Sequence, residues 1–153
     1  MKQIHDLLSK KKLIIFDLDG VLIDSKMNMD FAWRHVSKKN KVQTSFKNYF
    51  QFIGLPFKKI LFKLKINPKE NNYEKITKDF QKASIANLNK IKPFKDAAKV
   101  LSKFIRQGKK VALMTSKDYR RSKLIIKKFK FFFNQIECGT VKKKGKPNPY
   151  QIN

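Results

Sequence analysis

The feature that most constrains this chain is a short apolar run closed at once by acids. Leu13-Ile-Ile-Phe16 lies between Lys12 and Asp17, and Asp19 and Asp24 follow. Branched and aromatic residues bounded in this way read as a buried strand that ends at Asp17. Asp19-Gly20 then supplies a turn, because glycine tolerates the positive φ a tight turn can need. Carboxylates two residues apart, on a chain just leaving a strand, can face one pocket. The placement is informative because acids are scarce. The chain of 153 residues holds 11 Asp and Glu against 37 Lys and Arg, a formal net charge of +26. Three of the eleven acids fall between Asp17 and Asp24, whereas the stretch from Phe31 to Lys69 has none and carries ten Lys or Arg.

Composition sets outer bounds. With 41% hydrophobic residues there is material for a core, and wholesale disorder is not expected. No apolar run approaches the roughly 18–20 residues of a membrane span, and the amino terminus lacks a signal-peptide pattern. No membrane partner is therefore expected, and the expected location is cytoplasmic. A single cysteine, Cys138, excludes a disulfide framework or an all-cysteine zinc site within one chain. A pI near 10 is the usual footprint of a nucleic-acid binder. That reading ranks second, since the lysines scatter through segments rich in Asn, Ile and Phe and read as a solvated background.

Helical spacing predicts a helix over 27–39 carrying Met27, Phe31 and Val36. Ser45 is placed to cap a second helix through Phe52. Ile53-Gly-Leu-Pro56 breaks it, and Pro56 suits the first turn of a third helix to about Leu64. A long polar helix is expected over 70–91, with Ile76, Phe80, Ala83 and Leu88 as its apolar positions. Helix 95–107 has Ala97, Val100, Leu101, Phe104 and Ile105 on one face and Gly108 as a C-terminal stop. A second buried strand runs over Lys110–Thr115, a helix over 118–130 with Leu124, Ile125 and Phe129 inward, and a third strand follows within 131–138. His5, His35, Trp33 and the phenylalanines read as surface or packing residues, Asp24 as a turn or capping residue, and Cys138 as a buried strand residue. Strands alternating with helices imply a parallel sheet with right-handed crossovers. The helical block after the first strand is too long for a simple crossover and reads as an inserted helical cap.

Ligands of open α/β sheets bind beyond the carboxyl ends of the strands. There the chain offers Asp17 and Asp19 on the first strand, Thr115 and Ser116 on the second, and Lys146 after the third. Two acids, hydroxyls and an ammonium suit phosphoryl transfer. One carboxylate can attack phosphorus, and the other can protonate the leaving oxygen and later activate water. The hydroxyl and the lysine can hold phosphoryl oxygens. Neighbouring carboxylates call for a hard, oxygen-loving cation such as Mg²⁺.

Asp17-Leu-Asp-Gly-Val-Leu-Ile-Asp-Ser25 resembles the first motif of the haloacid dehalogenase (HAD) superfamily in its phosphatase-type form. Val111-Ala-Leu-Met-Thr-Ser116 resembles the second motif, and Lys146-Pro-Asn-Pro149 the third. Order and spacing are similar to the phosphoglycolate phosphatase-like subgroup with a helical cap. The resemblance implies an α/β fold: a Rossmann-like HAD core over 1–24 and 94–153 and a helical cap over 25–93. It implies a Mg²⁺-dependent phosphatase of a small phosphorylated metabolite. Asp17 would be the nucleophile that forms an aspartyl-phosphate, and Asp19 the general acid/base. The Asp17 carboxylate and Asp19 backbone carbonyl would ligate the metal. Thr115 and Ser116 would contact the phosphoryl group, and Lys146 would neutralise charge on nucleophile and phosphate. The acid at Asp19 argues against a true dehalogenase. A phosphomutase or phosphonatase relative is an alternative, although the mutase cap signature Thr-Arg-Gly is absent. A non-catalytic, basic nucleic-acid-binding protein on the same fold is the alternative from another class.

One departure from the family pattern matters. The fourth motif, an acidic pair that completes the metal site, should lie further past Lys146 than the seven residues that remain. Strands four and five of the family sheet would be missing with it. The chain is therefore expected to be C-terminally truncated, with its first strand an exposed edge. It is expected to be weakly folded and nearly inactive alone, an expectation that robust Mg²⁺-dependent phosphatase activity would refute.

Overall fold

Three parallel strands carry the molecule's first layer. In the computed structural model, which describes residues 10–69 and 71–139, β1 (Leu13–Phe16) pairs with β4 (Lys110–Thr115), and β4 pairs with β5 (Gln135–Cys138). The sheet order is β1-β4-β5. The register sets Phe16 beside Leu113 and Thr115 beside Cys138. Central position explains the near-continuous apolar sequence of β4, since both of its faces are covered. Val111, Ala112 and Leu113 are all buried. Strand β1 has only one partner strand among the described residues, and Leu13 and Ile15 are 50% and 41% exposed.

Parallel neighbours need crossovers. Helix α6 (Tyr119–Phe129) connects β4 to β5, and α5 (Ala97–Arg106) leads into β4. Both helices lie where the sequence predicts them, though α6 packs Ile125, Ile126 and Phe129 inward and leaves Leu124 out of the cluster. Ala97 and Leu101 of α5 and Ile125 of α6 are buried against the sheet in one cluster with Leu18, Leu22, Val111 and Leu113. Helix α5 stops at Arg106, and α6 stops at Phe129 before Lys130 in the left-handed region. Val100 instead lies 38% exposed, at the margin of the α5 face.

Between β1 and α5 the chain makes a helical block: α1 (Lys26–Lys39), α2 (Phe46–Phe50), α3 (Phe57–Lys63), α4 (Tyr73–Ala86) and a 3-10 turn (Leu88–Lys90). Its residues form a second, separate cluster around Trp33, Tyr49, Leu61, Ile76 and Phe80. The chain enters and leaves this block through two short strands that pair with each other. These are β2 (Ile23–Asp24) and β3 (Lys92–Pro93), antiparallel, with Ile23 opposite Pro93. Two-residue strands carry no readable periodicity, and the sequence gives no sign of this pair.

Two details of the block differ from expectation. Helix α1 buries Asn28, Met29, Ala32, Trp33 and Val36, while Met27 and Phe31 are exposed. The stripe 29-32-33-36 follows the helical repeat, and it turns the face away from Met27 and Phe31. Helix α4 is shorter than the expected 70–91. Asn72 Oδ1 caps it by accepting from the backbone N of Glu74 and Lys75, each at 2.9 Å. At the far end, Asn28 Nδ2 donates to the carbonyls of Ser84 and Asn87 at 2.9 and 2.8 Å, and Ser84 Oγ donates to Asn28 Oδ1 at 2.6 Å. With those carbonyls engaged by α1, the helix ends and a 3-10 turn follows. Ser45 caps α2 as expected, its side chain accepting from Asn48 N at 3.2 Å.

Candidate active site

The site is assembled where β1 and β4 both end. Asp17 follows β1 directly and is half-buried, its Oδ1 accepting from Leu18 N at 2.8 Å. Leu18 is fully buried in the sheet cluster, which anchors the turn between the two acids. Gly20 takes a φ of +78° in that turn. Asp19 Oδ1 accepts two donors: Ser25 Oγ and, at 3.1 Å, Lys117 Nζ. Asp24 lies apart on β2, exposed, its Oδ1 accepting from Lys26 N at 3.0 Å at the start of α1.

From β4 come Thr115 and the loop into α6. Thr115 is buried, and its Oγ1 accepts from Lys117 N at 3.2 Å. Ser116 Oγ donates to the carbonyl of Gly54 at 2.5 Å, so the second strand end touches the helical block. Gly54 holds a φ of +99°, a conformation that costs other residues strain and that presents this carbonyl to Ser116. A side chain at Gly139 would run into the Ser116 carbonyl, so the chain beyond β5 passes close behind the same loop. Asp118 caps α6: Oδ1 accepts from Arg121 N at 3.0 Å and Oδ2 from Arg121 Nε at 2.5 Å. The Arg121 guanidinium lies 5.3 Å from the ring centre of Phe80 in α4.

These groups line a narrow cleft of about 60 Å³ between the sheet and the helical block. Asp17, Asp19, Thr115, Ser116, Lys117 and Arg121 form the floor, and Tyr49, Leu55, Phe57 and Phe80 belong to the opposite wall. Four of the site residues expected from the sequence thus share one cleft. Lys146, and with it the third motif, lies outside the described residues. The sequence reading missed Lys117, Arg121, Tyr49 and Phe80 as cleft residues. Lys117 directly follows Thr115-Ser116, but one lysine among 37 Lys and Arg gives no signal of its own.

The electrostatics follow from burial and pairing. Lys117 is 6% exposed. Burial pulls its ammonium below the usual lysine range, Asp19 opposes that shift, and Arg121 adds to it. Burial pushes the Asp118 carboxyl up, but the attraction and hydrogen bonds of Arg121 outweigh it and hold Asp118 below the ordinary carboxylate value. Burial raises the Tyr49 hydroxyl well above the usual phenol range, so it stays neutral in the wall. The donors that converge on the cleft are oxygens. Two carboxylates with a backbone carbonyl suit a hard divalent cation that keeps several waters and takes further oxygens from a phosphate. Among the described residues no cluster of three or more His, Cys, Asp or Glu offers a closed metal cage.

A parallel α/β layer with paired carboxylates at one strand end, facing an inserted helical block, is a setting of the kind that α/β hydrolases use. The chain belongs to the haloacid dehalogenase-like hydrolases, whose family model matches residues 14–153. Solved structures agree on the fold. A protein described as a haloacid dehalogenase-like hydrolase from Bacteroides fragilis superposes with a TM-score of 0.83 at 19% identity, over 94% of this chain and 70% of that one. A predicted phosphoglycolate phosphatase from Haemophilus somnus gives 0.77 at 22% identity, over 93% and 68%. CbbY from Rhodobacter sphaeroides, solved in complex with phosphate, gives 0.76 at 17% identity, over 93% and 69%. No protein of curated function matches the chain. No helix among the described residues is long and apolar enough to cross a membrane.

Proposed function

We propose that this hydrolase is a Mg²⁺-dependent phosphatase of a small phosphorylated metabolite, working through an aspartyl-phosphate on Asp17. The observation that carries the reading is the convergence of Asp17, Asp19 and Thr115 in one cleft beneath the helical block. In the first half-reaction an Asp17 oxygen bonds to phosphorus as the ester P–O bond breaks. The bonding pair leaves with the alkoxide, which takes a proton from the Asp19 carboxyl. In the second, Asp19 removes a proton from water as its oxygen attacks the aspartyl-phosphate, which releases phosphate and restores Asp17. Thr115 Oγ1 donates to a phosphoryl oxygen, and Lys146 supplies a positive charge to the same group. Ser116 Oγ serves the phosphoryl group only when it releases the Gly54 carbonyl. The Asp17 carboxylate and the Asp19 backbone carbonyl would hold Mg²⁺, whose charge offsets the repulsion between carboxylate and phosphate.

Residues 25–93 act as a cap on a core made of 1–24 and 94–153. The aromatic wall of the cap limits the cleft to small substrates and keeps bulk water from the reacting groups. The test is phosphate release from a panel of small phosphomonoesters, with and without Mg²⁺. Asp17→Asn removes the nucleophile and is expected to abolish Mg²⁺-dependent release. Turnover that survives this substitution, or a chain that binds nucleic acid with steep salt dependence and hydrolyses nothing, would sink the reading.

A further inference from the structure

We propose that Lys117 and Ser25 are positioning residues that aim the Asp19 carboxyl at the reacting group. The inference rests on the phosphatase reading of the same cleft and assigns a task to two residues that lie outside the sequence motifs' reacting groups. Both donors converge on one oxygen of Asp19, Oδ1. No described residue hydrogen-bonds Oδ2, and Asp19 lines the cleft. An aspartate's last torsion is broad when its carboxylate is free. Gripping one oxygen from two sides removes that freedom and leaves the other to meet the leaving group or water.

The two donors come from different parts of the fold. Ser25 sits immediately before α1, at the root of the helical block, and is 2% exposed. Lys117 comes from the loop between β4 and α6. That loop is held in turn: Lys117 N donates to Thr115 Oγ1 at 3.2 Å, and the Lys117 carbonyl accepts from Gly139 N at 3.1 Å. The Lys117 side chain is 3% exposed in the ion pair. Packing alone does not explain a lysine so deeply buried, because a buried cation is costly unless its partner needs it. Here the partner is the acid at the end of β1. Lys117 therefore couples the ends of β1 and β4, so that the group that handles protons and the group that contacts phosphate keep a fixed relation.

Leaving-group dependence tests this directly. p-Nitrophenolate departs without a proton, whereas the alkoxide of β-glycerophosphate needs one from Asp19. Asp19→Asn sets the full loss on the alkyl ester. Lys117→Met and Ser25→Ala are expected to lower kcat on β-glycerophosphate at least about tenfold more than on p-nitrophenyl phosphate, part of the ~10²–10⁴-fold a general acid supplies. KM on the two esters should change alike, and Lys117→Arg should recover much of the loss. Equal loss on both esters would overturn the proposal. Ser25→Ala removes a single hydroxyl and keeps the test open should Lys117→Met fail to fold. Should the folded wild-type chain hydrolyse neither ester, which the near-inactivity expected of it alone allows, the structure rather than the kinetics is read. The crystal structure of Ser25→Ala or Lys117→Arg then decides the positioning claim. An Asp19 carboxylate turned from its present orientation in Ser25→Ala supports it, and one left unmoved overturns it.

Discussion

The helical block and the strand layer bury different things. In the block an aromatic cluster dominates the buried groups, with Asn28, Asp79 and Ser84 buried beside it. Trp33 stacks on Tyr49 with ring centres 4.5 Å apart, and Phe57 and Phe80 meet at 4.6 Å. In the strand layer, burial near the cleft goes to Thr115, Lys117 and Arg121, while Leu13 and Ile15 of β1 stand half in solvent. Hydrophobic burial stabilises the block at roughly 25 cal/mol per Å² of apolar surface. Buried ion pairs such as Lys117–Asp19 add little net stability, because desolvation offsets their attraction. One region is built to hold its shape, and the other gives up stability to keep charges where chemistry needs them.

Substitution can break that contrast. Trp33 is 1% exposed, and its Nε1 donates to the Thr44 carbonyl at 2.9 Å. Trp33→Ala is expected to cost about 3–5 kcal/mol in urea denaturation. Ile15→Ala, at a position 41% exposed, should cost no more than about 1 kcal/mol. Similar losses at the two positions would contradict the picture of an apolar block beside a half-solvated strand.

A smaller effect sharpens it through pH. Asp79 in α4 accepts from Lys39 Nζ at 2.8 Å and from Asn40 Nδ2 at 3.4 Å. The Lys39 hydrogen bond, against the opposing effect of burial, holds its carboxyl below the ordinary value. A folded pKa below the unfolded one stabilises the fold above the unfolded value of ~3.9, and the contribution is lost as pH falls through the folded pKa. Denaturation midpoints should drop below about pH 4, and by less in Asp79→Asn. A drop that the variant does not reduce would place the acid sensitivity elsewhere.

Much of this was legible in the sequence, and the gaps have physical causes. Strand β4 matches its expected bounds because a central strand shows an unbroken apolar run. Asp17, Asp19 and Thr115 could be placed together because parallel strands bring their carboxyl ends to one edge. The shortened α4 was hidden because its end depends on Asn28, far away in the chain. The rotated face of α1 was hidden because Met27 and Phe31 are apolar yet unburied. Lys117 was masked by the lysine background: only the fold distinguishes a lysine beside an acid at a strand end from one in solvent.

Asp17 is the group proposed to take the phosphoryl. Rapid quench of the chain with Mg²⁺ and a phosphomonoester, followed by borohydride reduction, converts an aspartyl-phosphate to homoserine that peptide mass spectrometry can locate. Homoserine is expected at position 17, and none without Mg²⁺. Phosphate release with homoserine at another acid, or with none formed, would contradict that role for Asp17.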